Sequence, residues 1–564
     1  MMPNSKISSA AAEWHQEVCD SHVSGQMSAR KLQKLVLKAT KAGAIGAEDI
    51  AKTGKSGAIS NNVHRDICRV LRRGSLWPNF YYADIPVWDP KQECIVLCSH
   101  PFLLPHEWLA KASSLCDFSG VLADAQQYPG IAAHIQKIAN GLRSPMSEFI
   151  PLGLHCDGVP FGSQIFYSDS LELFSLNFPC GNIGLRIPFS SVQKNHLVKH
   201  ITYNAILEIL AWSLKHLAFG TMPSNRHNGE PFGQGELFRN SFGSKFQPVK
   251  ALLVEIRADW VALKQVFQFP QQNENAGICW MCTAKPQDIR DCCESASWRQ
   301  SRKTAMSFHT QLLSAGKVCP LWSVPGCNCS IVIVDWLHCA DLGVTADVIG
   351  NILFELVELV PGHDRTVRMR ALWLLIQQEY DSQHVPAGNR FQSLRLKSFF
   401  AVNKSPKLKG KAAHIRYFVP VIQALVNQLM VAESIHTRTV VSCMNHLAKC
   451  YEFLQDFDAV LLDSEARKMA ILYCALEKEK IDAGIQKRWK VKPKLHLFLE
   501  LCTYLCLERQ RGNPRNFWTY ADESHGGSMR SIAVARGGRN TSRSSAYRLL
   551  SLWVCKIDML QIMG

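Results

Sequence analysis

Three short stretches, far apart in the chain, each place a carboxylate beside apolar or aromatic residues. They contain Asp157, Asp259 and Glu523, at positions 155–161, 257–260 and 520–523. Two-metal phosphoryl transfer requires such a set, because acidic oxygens must converge to hold two divalent ions about 3.5–4 Å apart across a phosphodiester. An Asp-Gly step by itself is more typical of a turn. Together, the three stretches predict one site for polynucleotidyl transfer.

A Cys-x-x-Cys motif, Cys279 to Cys282, begins 20 residues after Asp259. This spacing suits zinc, because two such thiolates can reach adjacent corners of a tetrahedron. A complete site needs two further ligands, and His496 and Cys502 are the candidates. The zinc ion would then join the start of a helix-rich segment to its end. Redox chemistry, or coincidence in a chain with 21 cysteines, is the alternative.

A further motif, Asp335-x-x-His338, has its two side chains three residues apart. On a helix this spacing places them on one face. The pair could orient DNA, contact the metal centre or pin the helix-rich segment to the sheet. The alternative is a buried, hydrogen-bonded Asp-His pair without a further role.

Composition restricts the class of protein. The chain has 564 residues, 47% of them hydrophobic and 20% charged, which excludes a mainly disordered protein and indicates two to four substructures. The formal charge of +16 favours a polyanionic partner, because Lys and Arg near phosphates gain from counterion release. Basic proteins of other kinds share such a charge.

The sequence predicts an intracellular, soluble protein with no membrane partner. Residues 1–6 lack the apolar core of a secretory signal, and no uncharged apolar run is long enough to span a bilayer. In a long intracellular chain, numerous cysteines more often indicate free thiols and metal ligands than disulfides.

The first segment, residues 1–147, is basic and predicted to be partly helical. Four lysines recur every three to four residues and would form one cationic helix face. They are Lys31, Lys34, Lys38 and Lys41. Such a face is either a solvated surface or a DNA-contacting arm.

A sheet is predicted in residues 148–268. The apolar runs 149–154, 164–178 and 183–189 indicate three successive strands of a meander. A helix at 201–219 and a strand at 249–256 follow, and the latter leads into Asp259. This order is the opening half of a ribonuclease-H-like fold, with Asp157 at or near the end of the first strand.

Residues 269–515 are helix-rich and predict a large, mostly α-helical insertion into that sheet. The clearest helices are expected at 344–360, 367–380, 415–432 and 440–461. The last segment, 516–564, would begin with a helix that carries Glu523 back to the sheet. The overall expectation is an α/β protein with a ribonuclease-H-like mixed sheet interrupted by helices.

Residues 148–540 resemble the CACTA (EnSpm-like, CMC) group of eukaryotic cut-and-paste DDE transposases. Positions 157–161 match the group's Asp-Gly-x-x-Pro-Phe-like strand end. Asp259 matches the second aspartate, which precedes a Cys-x-x-Cys, and 335–338 match the downstream Asp-x-x-His. Glu523 matches the final glutamate, with Tyr520 as the aromatic residue before it.

The resemblance implies that Asp157, Asp259 and Glu523 bind two Mg²⁺ or Mn²⁺ ions for DNA strand cleavage and strand transfer. It also implies a nuclear protein whose partners are double-stranded DNA, namely transposon ends and target DNA, and copies of itself. The group has a second histidine five residues after the first, where this chain has Leu501, so Cys502 is the expected substitute. Asp522 competes with Glu523, and helix register favours Glu523.

Two other functions remain open at the level of sequence. One is a catalytically inactive, transposase-derived DNA-binding protein, and the other is a different ribonuclease-H-like nuclease. A zinc-binding structural protein without a DNA role is a third class, and it predicts no salt-sensitive DNA affinity. Four arginines near the C-terminus would form a phosphate-contacting strip or a solvated tail. They are Arg530, Arg536, Arg539 and Arg543.

Overall fold

The computed structural model describes residues 27–45, 48–54, 77–114, 117–160, 170–180, 184–241, 247–269, 277–431, 434–485, 487–534 and 545–554, with a few single positions before residue 68. Phe161, Arg536, Arg539 and Arg543, singled out in the sequence, lie outside these residues.

A mixed five-stranded sheet forms the centre of the described structure, in the order β5-β4-β3-β6-β7. The strands are β3 (Phe149–Pro160), β4 (Ser170–Asn177), β5 (Arg186–Gln193), β6 (Lys250–Ala258) and β7 (Val332–Ile333). β3, β4 and β5 form an antiparallel meander, whereas β6 and β7 continue the sheet in parallel to β3. The central strands are nearly all buried, as expected for a sheet covered on both faces.

A separate antiparallel hairpin precedes this sheet. It consists of β1 (Tyr81–Asp89) and β2 (Cys94–Phe102). The sequence predicted only a basic, partly helical region here. The difference arises because β1 alternates buried and exposed side chains with the period of two typical of a half-buried strand.

Helices surround the sheet and dominate the second half of the chain. The described α-helices are α1 (Ala29–Lys41), α2 (Glu48–Ala51), α3 (Pro105–Ala112), α4 (Ser119–Ala125), α5 (Pro129–Leu142), α6 (Lys199–Phe219), α7 (Leu237–Asn240), α8 (Trp260–Gln265), α9 (Ser297–Gln300), α10 (Ala305–Ser314), α11 (Ala346–Leu359), α12 (Arg365–Ser382), α13 (Ala412–Leu429), α14 (Ile435–Glu452), α15 (Ala459–Asp482), α16 (Pro493–Glu500) and α17 (Tyr520–Val534). Residues 545–554 are also helical. Short 3₁₀ turns lie at Met146–Glu148, Lys194–His196, Pro286–Arg290, Pro320–Ser323, Cys329–Ile331, Ala387–Asn389, Leu396–Ser398 and Pro514–Asn516.

Two helices contain a π-helical segment, in which the backbone bonds span five residues. Leu337–Thr345 is π-helical and continues directly into α11, and α16 continues into a second π-helix, Leu501–Glu508. π-Helical segments are rare and occur frequently at functional sites. The first contains His338 of the Asp-x-x-His motif, and the second contains Cys502 and follows the helix that carries His496.

The segment 269–515 is largely helical, but it also supplies the fifth strand of the sheet. β7 pairs with β6 through Ile256 and Val332, so the sheet is completed before the longest helices begin. The predicted helix at 440–461 spans the end of α14 and the start of α15. The two helices are separate because Asp458 caps α15, accepting hydrogen bonds from the backbone of Val460 and Leu461.

The lysines of α1 lie on its exposed face, opposite the buried Leu32 and Val36. None of the described helices combines the length and the apolar character needed to cross a lipid bilayer.

Candidate functional site

Asp157 and Asp259 lie beside each other on adjacent parallel strands. β3 pairs with β6 so that Cys156 is opposite Ala258, and each aspartate is one residue further along the chain. Neighbouring strands are about 4.8 Å apart, and residues in register direct their side chains to the same face. The pairing therefore places both carboxylates together at one end of the sheet.

Local hydrogen bonds orient these two carboxylates. Asp157 Oδ1 accepts a hydrogen bond from the Gly158 amide at 2.7 Å. Asp259 Oδ1 accepts one from the Ala262 amide at 2.7 Å, which makes Asp259 the N-cap of α8. The cap uses one oxygen of Asp259 and leaves the second outside this bond.

Glu523 approaches the same place from α17, which packs against β3. A Cβ atom on Gly526 of α17 would lie 3.4 Å from Val159 Cγ2, which shows how close helix and strand are. Burial and the charge of Asp157 together raise the pKa of Glu523 to about 7, and His338 opposes the rise. Glu523 Oε1 is buried and, within the described residues, has no hydrogen-bond partner.

Asp522, the neighbour of Glu523, has different surroundings. Its Oδ1 accepts hydrogen bonds from Arg186 Nε at 2.7 Å and Asn177 Nδ2 at 3.1 Å, and its Oδ2 lies 3.4 Å from Arg257 Nη1. Burial opposes ionisation of Asp522, but its basic neighbours hold its pKa below the usual value. Asp522 therefore belongs to a buried ion network with Arg186 and Arg257. Glu523 is the acid that faces Asp157.

Asp335 connects the first π-helix to the start of α17. Its carboxylate accepts hydrogen bonds from the backbone amides of Leu337 at 3.2 Å and His338 at 2.9 Å. It also accepts bonds from the amide and the hydroxyl of Thr519, both at 2.9 Å. Asp335 thus fixes the residue directly before α17 to the end of β7.

His338 contacts the carboxylates directly. Its Nδ1 is 2.7 Å from Asp335 Oδ2, and its Nε2 is 3.6 Å from Glu523 Oε1. Burial disfavours the imidazolium, but Asp335, Glu523 and Asp157 together raise the pKa of His338 to about 9. The Asp-x-x-His motif therefore presents a cationic imidazole to the cluster of acids.

A lysine and a fourth carboxylate, neither of which the sequence motifs indicated, also lie at this end of the sheet. Glu172 of β4 pairs with Gly158, and its Oε2 is 3.2 Å from Lys194 Nζ. Because Gly158 has no side chain, the Lys194 ammonium can lie against β3; a Cβ atom at 158 would overlap it. Burial, with the charge of Asp157, raises the pKa of Glu172 above its usual value, although Lys194 opposes the rise. The sequence did contain one indication of Glu172, because an acid at this position interrupts the apolar run of β4.

A second cluster brings together Cys279, Cys282, His496 and Glu500. One ligand atom from each residue lies within 4.8 Å of all the others, and all four side chains are buried. Cys282 Sγ is 3.3 Å from His496 Nε2, and Cys279 Sγ is 3.8 Å from Glu500 Oε1. Two thiols, an imidazole and a carboxylate at such distances could hold a metal ion, and the described residues contain no other cluster of this kind.

The electrostatics of this cluster favour a bound cation. Burial opposes ionisation of Cys279, but hydrogen bonds from Cys282 and His496 hold its pKa well below the usual value. Burial and the charge of Cys279 raise the pKa of Glu500 to about 7. Arg302 Nη1, at 2.6 Å from Glu500 Oε2, is the nearest compensating charge on that carboxylate.

Cys502, expected as the fourth ligand, does not lie in this cluster, and Glu500 takes its place. The reason is helical geometry: residues four apart on α16, such as His496 and Glu500, share a face, whereas a residue six positions on does not. Cys502 is buried in the second π-helix, where the surrounding side chains and Cys506 raise its pKa.

Comparison with protein-family models and with curated proteins finds no match for this chain. Its chemistry must therefore be inferred from its own residues. Two groups of residues stand out. Asp157, with Glu523 and His338 beside it and Asp259 in register on the neighbouring strand, is hereafter the acid cluster. The buried Cys-Cys-His-Glu group is hereafter the thiol cluster.

Proposed function

We propose that this protein is a metal-dependent polynucleotidyl transferase of the DDE transposase type, acting on double-stranded DNA. The observation that carries the proposal is the in-register placement of Asp157 and Asp259 on adjacent parallel strands, with Glu523 brought close to Asp157 by α17, which packs against β3. The partly buried Glu523 carboxylate lies close enough to Asp157 for their like charges to repel, and a cation between them would relieve that repulsion.

The strand order supports a ribonuclease-H-like core as part of this proposal. Three antiparallel strands are followed by two strands parallel to the first, and the acids lie at the carboxyl ends of β3 and β6. Ligand sites of sheets with parallel strands commonly lie at the carboxyl ends of those strands. Most of the longest helices lie after β7 and before α17.

The acid cluster has the donors that Mg²⁺ or Mn²⁺ prefers, since carboxylate oxygens suit hard cations. The buried Oε1 of Glu523, with no hydrogen-bond partner among the described residues, fits such a role. When bound, two such ions would supply activation of a water or DNA hydroxyl nucleophile and stabilisation of the leaving oxygen.

The protein's own residues would orient this centre. Asp335 holds His338 through Nδ1, and His338 in turn faces Glu523 with Nε2. A cationic imidazole there reduces repulsion among the acids before metal binds and restricts the direction in which Glu523 points. Lys194, partly exposed beside Gly158, is placed to contact a phosphate that enters the acid cluster.

We further propose that the thiol cluster holds structural zinc, with Glu500 as the fourth ligand. Thiolate, imidazole and carboxylate are all zinc donors, and four protein ligands leave no open position for catalysis. The net charge of +16 supports DNA as the partner. DNA strand transfer would place the protein in the nucleus, acting as an oligomer that holds more than one DNA end.

The test is nicking of supercoiled plasmid DNA by the full-length protein in Mn²⁺. We expect metal-dependent nicking that is lost in Asp157→Asn, Asp259→Asn and Glu523→Gln, each of which keeps wild-type DNA affinity. Asp482→Asn, an exposed acid paired with Lys478 on α15, is the matched control and should nick normally. DNA binding without nicking by the wild-type protein would instead identify an inactive derivative, and nicking that survives in all three variants would overturn the proposal.

A further inference from the structure

A cavity of about 630 Å³ lies between α5, the start of α10 and the end of the second π-helix. None of the lining residues that the structure describes belongs to the acid cluster. Its lining includes five cations, Lys137, Arg302, Lys303, Arg509 and Arg511, and Glu508 is the one carboxylate among its described lining residues. Cavities of this size hold small organic ligands.

The carboxylate does not neutralise the cavity, because Arg302 already pairs with it. Arg302 Nε is 3.0 Å from Glu508 Oε2 and Arg302 Nη2 is 2.5 Å from Glu508 Oε1. The third nitrogen of Arg302 binds Glu500 of the thiol cluster. Arg509, Arg511 and Lys137 are therefore an excess of positive charge around the cavity.

This excess also acts on the titratable groups around the cavity. Burial and the charges of Arg511, Arg509 and Lys137 together lower the pKa of His134 to about 3. Burial and the neighbouring Arg509 also lower the pKa of Arg511, although Glu255 opposes this. Groups that repel one another in this way would be stabilised by an anion placed among them.

Arg511 also has an unused hydrogen-bond donor. Its side chain is 3% exposed, and its Nη1 has no hydrogen-bond partner in the described part of the chain. The nearest acid, Glu255, is 4.0 Å away, and Nη2 donates to the Ser330 carbonyl at a long 3.4 Å. Leaving a buried donor unpaired costs about 1–3 kcal/mol, which a bound acceptor would recover.

The start of α10 contributes a further positive end to the cavity. Thr304, its N-cap, and Ala305 both line the cavity. Thr304 Oγ1 accepts a hydrogen bond from the Ser307 amide at 3.1 Å. The other backbone amides of this first turn point in the same direction, out of the N-terminal end of the helix. A helix N-terminus favours negative charge, particularly phosphate.

We propose that this cavity binds phosphate groups, with Arg509, Arg511 and Lys137 as their main partners. Guanidinium groups match phosphate through paired, charge-assisted hydrogen bonds. Cations supplied by α5 and by the 509–511 segment face a cavity larger than one phosphate requires, which favours a ligand with several phosphates. That ligand is either a free oligophosphate or successive phosphates of a nucleic-acid strand. The proposal does not depend on catalysis at the acid cluster.

The test measures binding of sodium tripolyphosphate and of a short DNA duplex to the full-length protein, at constant ionic strength. The test variant is Lys137→Glu/Arg509→Glu, since both side chains are exposed and outside the thiol cluster. The matched control is Lys34→Glu/Lys38→Glu on the exposed face of α1, which changes the net charge equally. Thermal unfolding without ligand checks that both variants fold.

We expect the cavity variant to bind tripolyphosphate about tenfold more weakly or worse, and the control to bind as the wild type does. If duplex affinity falls in parallel and tripolyphosphate displaces the duplex, the natural ligand is a nucleic-acid backbone. If duplex affinity changes equally in both variants while tripolyphosphate binding depends on the cavity, the ligand is a free oligophosphate. Equal loss of tripolyphosphate binding in both variants, or no binding by the wild type, would overturn the proposal.

Discussion

Two neighbouring acids, Asp522 and Glu523, show how strongly position decides the role of a residue. They are adjacent in the chain, yet Asp522 is enclosed by Arg186 and Arg257, whereas Glu523 faces Asp157 and His338. Charge pairing lowers the pKa of one acid and, with burial, charge repulsion raises that of the other. Substitutions at the two positions should therefore have opposite consequences.

We expect Asp522→Asn to destabilise the fold by about 3 kcal/mol, because two largely buried guanidinium groups lose their carboxylate. Glu523→Gln should keep or increase the free energy of unfolding, since it removes repulsion with Asp157, while abolishing metal-dependent nicking. Urea denaturation and the plasmid assay, applied to both variants, measure the two effects. Equal destabilisation by the two substitutions would show that Glu523 is also structural.

At the residue scale, the sequence was most informative where a carboxylate directly follows a buried strand. Asp157 and Asp259 could be paired in advance because both end long apolar runs. Glu172 and Lys194 could not, because their closeness to Asp157 depends on the register of β4 and on a residue reaching across from the end of β5. Register is set by the whole sheet and is not visible in a local pattern.

At the scale of single elements, α16 determines the ligands of the thiol cluster. The helix begins at Pro493, which suits the first helical position, and it places His496 and Glu500 one turn apart. The prediction of Cys502 as a ligand was based on the spacing of the resembled group. It did not take into account the rotation of about 100° per residue along a helix, which turns Cys502 away from His496. Fourth ligands can be predicted only when the start and the direction of a helix are known.

Zinc content distinguishes the two candidate ligands directly. We expect Glu500→Ala to purify with less zinc and to bind added zinc more weakly than the wild type, because it removes one of four donors. Cys502→Ser should keep wild-type zinc content, since its thiol lies outside the cluster. Elemental analysis of both variants decides the matter, and zinc loss in Cys502→Ser alone would restore the prediction made from sequence.

Asp341 connects three helices and should make their packing sensitive to pH. Its carboxylate, in the first π-helix, accepts hydrogen bonds from Tyr451 of α14 and Tyr520 of α17, both at 2.7 Å. Burial raises the pKa of Asp341 from 3.8 to about 7, although the two tyrosines oppose the rise. The folded state therefore retains a proton that the unfolded state releases.

The stabilising contribution of protonated Asp341 is complete below pH 3.8 and decreases as pH rises, until it is lost near pH 7. We expect Asp341→Asn, which cannot ionise, to lose less stability than the wild type between pH 5 and 8. Thermal unfolding across this range gives the measurement. Parallel pH profiles for the two proteins would mean that Asp341 is already ionised at pH 5.

Long helices and strands were easier to predict from the sequence than short ones. The runs at 201–219 and 249–256 were long enough to identify α6 and β6. β7 has only two residues, and it was missed because its strand character comes from pairing with β6. α14 and α15 were merged because both are amphipathic and the break between them depends on the cap at Asp458.

At the scale of the whole molecule, the helical region is attached to the sheet beside both clusters. Asp335 joins the end of β7 to the start of α17, next to the acid cluster. The thiol cluster joins the loop after α8, through Cys279 and Cys282, to α16. A metal ion in the thiol cluster would therefore join the loop that follows α8 to α16, at the far end of the helix-rich segment.

This arrangement predicts that zinc controls both stability and activity, although the thiol cluster is separate from the acid cluster. Removal of zinc with a chelator should lower the unfolding temperature, because metal affinity that exists only in the folded state contributes to stability. Nicking should fall even in saturating Mn²⁺ and return when zinc is restored.

Cys282→Ser should resemble the chelated wild type and no longer respond to chelator. Cys443→Ser, another buried thiol, should respond as the wild type does. If chelation removes zinc yet leaves unfolding and nicking unchanged, the two regions are held together by packing and Asp335 alone.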